Sequence, residues 1–451
     1  MGRAVFRMSH GSKMRRYEYL PVVAVVAVFA VLASVVAATT PAWEAPDEPD
    51  HVQNAQTIAS GHWYRMDRGA GDEAHQAPLY YVGLAGWQRI WGAPVRQPPA
   101  RDATAFFFPS RGIYRHQTAR DSADHRFVLL LRISSILLGV ATVLLTAFTA
   151  RRLSDDPWTP AVAAAVIVGV PRFVFLSGVV NNDNLANTFG GLLTLLLVVF
   201  VLRYTPQGEH ERERLWWTAA IGATVGLLVL TKASTIPLAL AAVVAIVILR
   251  SSWRSLVTML AVAAGSALAV CGWWLVQNQV RYGDPLAHRA SIDYLGPIGG
   301  IGARVFGTPP ILQLLFVDVP AKVYHSFWYN SGWGYFKWPT LAYIPFWLAL
   351  VAALAGLFRV RRSARRTTDS PMIVLAAVVV TAFSAIWITS LSTDTYDGRV
   401  AFIGLPALAC VAALGLERWK APVPVRFVGP AIGVVGTMIA IRQDILTVPW
   451  R

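Results

Sequence analysis

Residues 20–51 read LPVVAVVAVFAVLASVVAATTPAWEAPDEPDH. Leu20 to Thr39 carries no charge and, at about 1.5 Å per residue, is long enough to cross a hydrocarbon core of about 30 Å. The run breaks at Pro41, and four ionisable groups follow within five positions: Asp47, Glu48, Asp50 and His51. A spanning helix that hands the chain directly to an acidic patch places that patch at a membrane surface.

The rest of the chain repeats the first half of this pattern. Of its 451 residues 55% are hydrophobic and only 14% charged, too few charges to cover a soluble protein of this length. The net charge of +15 sits largely in short clusters between apolar runs, such as Arg151-Arg152, Arg203 with Arg212 and Arg214, Arg250 with Arg254, and the group from Arg359 to Arg366. That is the positive-inside pattern and not a nucleic-acid surface. Arg3, Arg7, Lys13, Arg15 and Arg16 put residues 1–19 in the cytoplasm. The first run is too long for a signal-peptide core and lacks a small-residue cleavage site before Trp43, so it reads as a retained helix. Cys271 and Cys410 lie in apolar runs, which excludes a disulfide framework or a paired-cysteine metal site.

The fold expected is an all-α polytopic membrane protein of about eleven transmembrane helices. The runs fall near 20–40, 127–149, 158–179, 185–202, a tight pair around Lys232, 255–276, 341–358, two helices flanking 392–399, and 427–441. Two long polar segments, 41–126 and 277–340, fall on the outer side, the first with interfacial helices near 47–61 and 78–91. A module over 20–417 is then followed by a basic loop, a last helix and a short tail over 418–451. The helix centres read as nearly free of charge.

The polar groups that remain gather on the outer side, and each has a plain and a chemical reading. Asp47 and Glu48 suit a helix cap with Pro49 in the first turn, or a catalytic acidic pair. Together with His51 they are also hard or borderline ligands for a divalent cation such as Mg or Mn, although no cofactor is required. Asn181-Asn182-Asp183-Asn184 is a polar turn or a second acidic wall. Glu73-Ala-His75-Gln76-Ala-Pro78-Leu-Tyr80-Tyr81 opens a membrane anchor, or aims His75 and Gln76 at a lipid phosphate. Lys232 and Arg399, the latter in Tyr396-Asp397-Gly398-Arg399, are snorkelling anchors or phosphate contacts. The aromatics of 326–338 form an interfacial belt or stack on a sugar or isoprenoid.

Taken in order, these stretches resemble the GT-C superfamily of polyprenyl-phosphate-sugar-dependent transferases, which includes protein O-mannosyltransferases and the aminoarabinose transferases of lipid A. The resemblance rests on Asp47-Glu48 after the first helix, Pro78-Leu-Tyr80-Tyr81, the run Asn181 to Asn187, Leu230-Thr231-Lys232, Tyr282-Gly-Asp-Pro-Leu286, and Gly398-Arg399 followed by Leu405-Pro-Ala-Leu408. Two positions depart from it. His75-Gln76-Ala77 stands where the aminoarabinose transferases have a lysine, and Val400-Ala401 replaces the usual aromatic after Gly-Arg.

The resemblance implies a hexosyl or pentosyl transferase in the bacterial cytoplasmic membrane, with its site on the outer face. The donor would be a polyprenyl-phosphate sugar and the acceptor a glycan, glycolipid or protein. Asp47 would be the general base, with Glu48 helping to orient it. Arg399, then Lys232 and His75, would stabilise the leaving phosphate. Asp183, with Asn182, Gln76 and Tyr80, would hold substrate. The competing readings are an envelope-polysaccharide polymerase or ligase, and a transporter or flippase of lipid-linked glycans. The acidic pair so early in the chain speaks against the former, and the uncharged helix centres and lack of repeats speak against the latter.

Overall fold

A computed structural model of the chain describes residues 19–66, 72–96, 98, 118–204, 211–295, 310–330, 337–358, 369–391 and 397–442. The basic N-terminal segment, the cluster from Arg359 to Arg366, Tyr396 and residues 331–336 of the aromatic stretch lie outside them. Every regular element among the described residues is helical.

The first half runs α1 (Leu20–Thr39), α2 (Glu48–Ala59), α3 (Leu79–Ile90), α4 (Thr118–Leu153), α5 (Thr159–Val168), α6 (Pro171–Ser177), α7 (Asp183–Arg203) and α8 (Glu211–Thr231). The second half begins with a 3-10 segment at Ala233–Leu238, then α9 (Ala239–Ile248), α10 (Trp253–Tyr282) and α11 (His288–Leu295). It ends with α12 (Val319–Ser326), α13 (Ile344–Ala355), α14 (Asp369–Ser390), a 3-10 segment at Gly398–Gly404 leading into α15 (Leu405–Arg418), and α16 (Val428–Ala440). Helices α2 and α3 occupy the two places expected in the first polar segment. Proline opens both: Pro49 lies in the first turn of α2, and Pro78 caps α3.

Eight helices are long and apolar enough to cross a membrane among the described residues, and nine if α5 and α6 count as one broken span. The expected eleven is reached only by adding Ala233–Ile248 and Val428–Ala440, which are apolar but short. The chain is thus a multi-pass membrane protein. The single helix expected over 158–179 is instead two helices bent by 75°. Pro171 is the cause. Its ring disfavours helical backbone in the residue before it, and Val170 is extended at φ −101°, ψ 99°.

α4 is the central post. It packs on α1, α5 and α7, and its C-terminal half on α15. Glycines let backbones meet where these helices cross, as is usual without a hydrophobic driving force between spans. A Cβ at Gly190 of α7 would stand 2.1 Å from the Ile403 carbonyl oxygen, whereas one at Gly265 of α10 would meet nothing within 4 Å. Gly190→Val is therefore expected to lower stability by about 2 kcal/mol or more through overpacking, and Gly265→Ala, in open space inside a helix, to leave it unchanged or raise it by up to about 1 kcal/mol. Thermal unfolding of the detergent-solubilised variants distinguishes the two, and equal melting temperatures would contradict the packing described.

Candidate active site

α1 ends at Thr39, and the next eight residues make two backbone turns that ordinary residues avoid. Trp43 and Asp47 have φ of 72° and 64°. Aspartate is among the few side chains that tolerate this left-handed region. Two anchors hold the segment there. The Trp43 indole donates to Asp124 on α4 at 3.1 Å, and Trp43 is fully buried. Glu48 receives both Nε and Nη2 of Arg132, at 2.9 and 2.6 Å, and the Val180 backbone N–H at 3.0 Å. The rest of Arg132 donates to the carbonyls of Ala37, Thr40 and Pro41. Arg132 and Glu48 are both 0% exposed.

Asp47, the next residue back, faces the other way. Its Oδ2 lies 2.6 Å from Nη2 of Arg399, which lies 352 positions further along. Arg399 Nε is 3.7 Å from Oδ2 of Asp183, and Asp183 Oδ1 is 2.5 Å from Lys232 Nζ. Asp47, Arg399, Asp183 and Lys232 thus form one chain of alternating charge across the ends of α2, α7, α8 and the segment before α15. Asp183 opens α7, where the positive end of the helix dipole favours a carboxylate. Arg399 is set by Asp397, whose Oδ1 accepts its backbone N–H at 3.0 Å while Oδ2 lies 3.5 Å from Arg172 Nη2. Gly398 is required beside it, since a Cβ there would come within 2.5 Å of the Phe327 nitrogen.

His51 and Glu73 complete the cluster. One ligand atom from each of Asp47, His51 and Glu73 lies within 4.8 Å of the others. Nδ1 of His51 is 2.9 Å from the Tyr81 hydroxyl, and Tyr80 packs edge-on to the same ring. Burial resists ionisation of Asp47, but the Arg399 guanidinium, with His51 and Lys232, outweighs it and holds the carboxyl at about 2. Burial drives His51 down to about 3, against the pull of Asp47. Burial, and after it the charge of Asp47, lifts Glu73 to about 8. At neutral pH the three groups are an anion, a neutral ring and a neutral acid.

The sites expected from the sequence therefore divide. Asp47, Asp183, Lys232 and Arg399 come together, with Asn182 and Tyr80 buried beside them. The Nδ2 of Asn182 is buried without a hydrogen-bond partner. Glu48 does not join them. Its carboxylate is used up by Arg132 and Val180, so Glu73 and not Glu48 stands with Asp47 and His51 in the trio whose ligand atoms could hold a metal ion. His75 and Gln76 are also apart. They line a small cavity of about 30 Å³ with Trp63, Tyr64, Trp274 and Asn278, room for one water and not a phosphate. In the polar turn, Asn181 and Asn184 bond its own backbone. Arg132 and Arg172 join the buried network beyond the residues expected from the sequence; each is a charge inside an apolar run, which is itself a signal.

Two outcomes follow. Arg132→Met leaves Glu48 charged and buried without its partner, and is expected to cost about 3–5 kcal/mol; a melting temperature near wild type would contradict the network. The second concerns pH. Glu73 keeps its proton to about 8 in the fold and loses it near its ordinary 4.5 when unfolded, so its contribution is full below 4.5 and lost as pH rises through 8. His51, held at about 3 against 6.5, contributes stability that builds from 3 to 6.5 and is complete above. From pH 6.5 to 8 the wild type therefore loses stability through Glu73, and Glu73→Gln flattens that slope in thermal unfolding; equal slopes would contradict it.

A family model described as dolichyl-phosphate-mannose-protein mannosyltransferase matches residues 106–282. Among solved structures, ArnT from Cupriavidus metallidurans bound to undecaprenyl phosphate aligns with a TM-score of 0.51 at 17% identity, over 94% of this chain and 64% of that one. The archaeal oligosaccharyltransferase AglB from Archaeoglobus fulgidus, in complex with an inhibitory peptide and a dolichol-phosphate, aligns with a TM-score of 0.50 at 14% identity, over 95% and 55%. The chain spans less than two thirds of either. No curated protein matches it by sequence. The chain thus has the fold of the GT-C glycosyltransferases, the superfamily that its sequence resembles.

Proposed function

We propose that the chain is a glycosyltransferase that moves a sugar from a polyprenyl-phosphate donor to an acceptor on the outer face of the bacterial cytoplasmic membrane. The observation that carries this reading is the meeting of Asp47 with Arg399, in one charged chain with Asp183 and Lys232. It pairs a carboxylate for the acceptor hydroxyl with cations for a phosphate. A family model for mannosyltransferases and the GT-C fold support it.

The reaction is a single displacement. The acceptor O–H bond breaks and its proton goes to Asp47. The freed oxygen forms a bond to the anomeric carbon as the carbon–oxygen bond to the phosphate breaks, and the electron pair leaves with the phosphate. The carbon inverts. Arg399 takes up the charge that develops on the phosphate, and Lys232 contributes from behind Asp183. Before the donor arrives, Arg399 holds Asp47 too acidic to be a good base. A donor phosphate competes with Asp47 for that guanidinium, so donor binding raises the proton affinity of Asp47 and favours donor before acceptor. A divalent cation would be held by Asp47, His51 and Glu73, the last giving up its proton on binding, with the Tyr81 hydroxyl orienting the imidazole. Arg132 is saturated by protein groups, so its charge marks no transport path.

Asn tolerates the left-handed backbone of Asp47 as Asp does, so Asp47→Asn keeps the fold. In vesicles supplied with a polyprenyl-phosphate sugar and acceptor, it is expected to reduce turnover about 100-fold or more while donor binding persists. Arg399→Gln is expected to weaken donor binding. Wild-type turnover in Asp47→Asn would sink the assignment.

A further inference from the structure

The end of the bundle away from the charged cluster holds a cavity that the transfer reaction does not use. α7 runs from Asp183 at the cluster to Arg203, about 30 Å away. Around Arg203 a cavity of about 900 Å³ opens over α4, between α1 on one side and α7 with α8 on the other. Its two ends differ in chemistry. At the mouth stand Arg151, Arg152 and Arg203. Further along the helices the lining is apolar, with half-exposed Phe148 on α4 and partly buried Leu195, Leu196 and Val199 on α7. From Arg203 back to Leu195 this apolar slot runs about 12 Å along α7 toward the middle of the bundle.

We propose that this cavity is a binding site for an anionic phospholipid, with its headgroup phosphate at Arg151 and Arg152 and one acyl chain in the slot beside Leu196. The size suits a lipid portion and exceeds what snorkelling side chains need. Basic pockets between spanning helices are the usual home of anionic headgroups. Asp155 also lines it, Arg151 donates to the Ser154 and Asp155 carbonyls, and Glu213 pairs with Arg203, whose guanidinium also lies over the Trp217 ring, so the three arginines leave the mouth net positive by one charge, with Arg152 an exposed cation. Tyr19 forms part of the lip, and the sequence just before it carries Arg15 and Arg16. The proposal is independent of the transfer reaction.

The test is native mass spectrometry of the full-length, delipidated protein in detergent with equimolar phosphatidylglycerol and phosphatidylcholine. The wild type should retain phosphatidylglycerol in preference. The pair Arg151→Gln/Arg152→Gln should lose roughly tenfold or more of that retention. Leu196→Trp, which fills the slot and leaves the charge unchanged, should lose it as well. Arg250→Gln/Arg254→Gln, equal in charge but outside the cavity, should keep it; melting temperatures confirm that each variant is folded. Equal retention of the two lipids would overturn the proposal, as would loss that follows net charge alone. Full displacement of phosphatidylglycerol by equimolar undecaprenyl phosphate, or higher retention once residues 1–18 are deleted, would do so too, because each names a different occupant.

Discussion

The ion pair between Glu48 and Arg132 governs the geometry of the candidate site. A buried guanidinium is costly unless every N–H finds an acceptor, and Arg132 finds them on Glu48 and on three carbonyls at the end of α1. The same carboxylate takes the Val180 N–H, which belongs to the turn that leads into α7. One pair of side chains therefore binds the end of α1, the start of α2, the body of α4 and the approach to Asp183. With Glu48 pulled into the protein, Asp47 is turned outward, at a backbone conformation that aspartate accepts. Adjacent acids thus have opposite work: one holds the structure, the other meets Arg399.

The charged chain then follows. Each of its members arrives from a different element; Arg399 lies between Asp47 and Asp183, and Lys232 ends the chain beyond Asp183. In the proposed reaction a donor phosphate takes over the arm of Arg399 that Asp47 now occupies. The unpartnered Asn182 Nδ2 and the buried Nη1 of Arg399 are consistent with a site whose hydrogen bonds are completed by a ligand.

Much of the fold was legible because apolar runs and basic clusters obey rules local to the sequence. The positions of α1, α2, α3, α7 and α10 follow from length, proline and charge. The break between α5 and α6 is written in Pro171, but an apolar run conceals it when hydropathy alone is read. Of the site, Asp47, Asp183, Lys232 and Arg399 could be named from motifs. What sequence could not give was direction. Nothing in Asp47-Glu48 says which carboxylate faces Arg132, since that partner is 84 positions from Glu48. Nor does the sequence separate Glu73 from His75 and Gln76, which share one short stretch with it around the 3-10 turn Asp72–His75.

The most direct test of the central claim is mass spectrometry of cell-envelope glycans and glycoproteins from three strains: a deletion strain, the same strain carrying the wild-type gene, and one carrying Asp47→Asn at matched expression. The account predicts that one sugar disappears on deletion and returns with the wild type alone. Full restoration by Asp47→Asn would contradict it, and would mean that the chemistry of this cluster is not glycosyl transfer through Asp47.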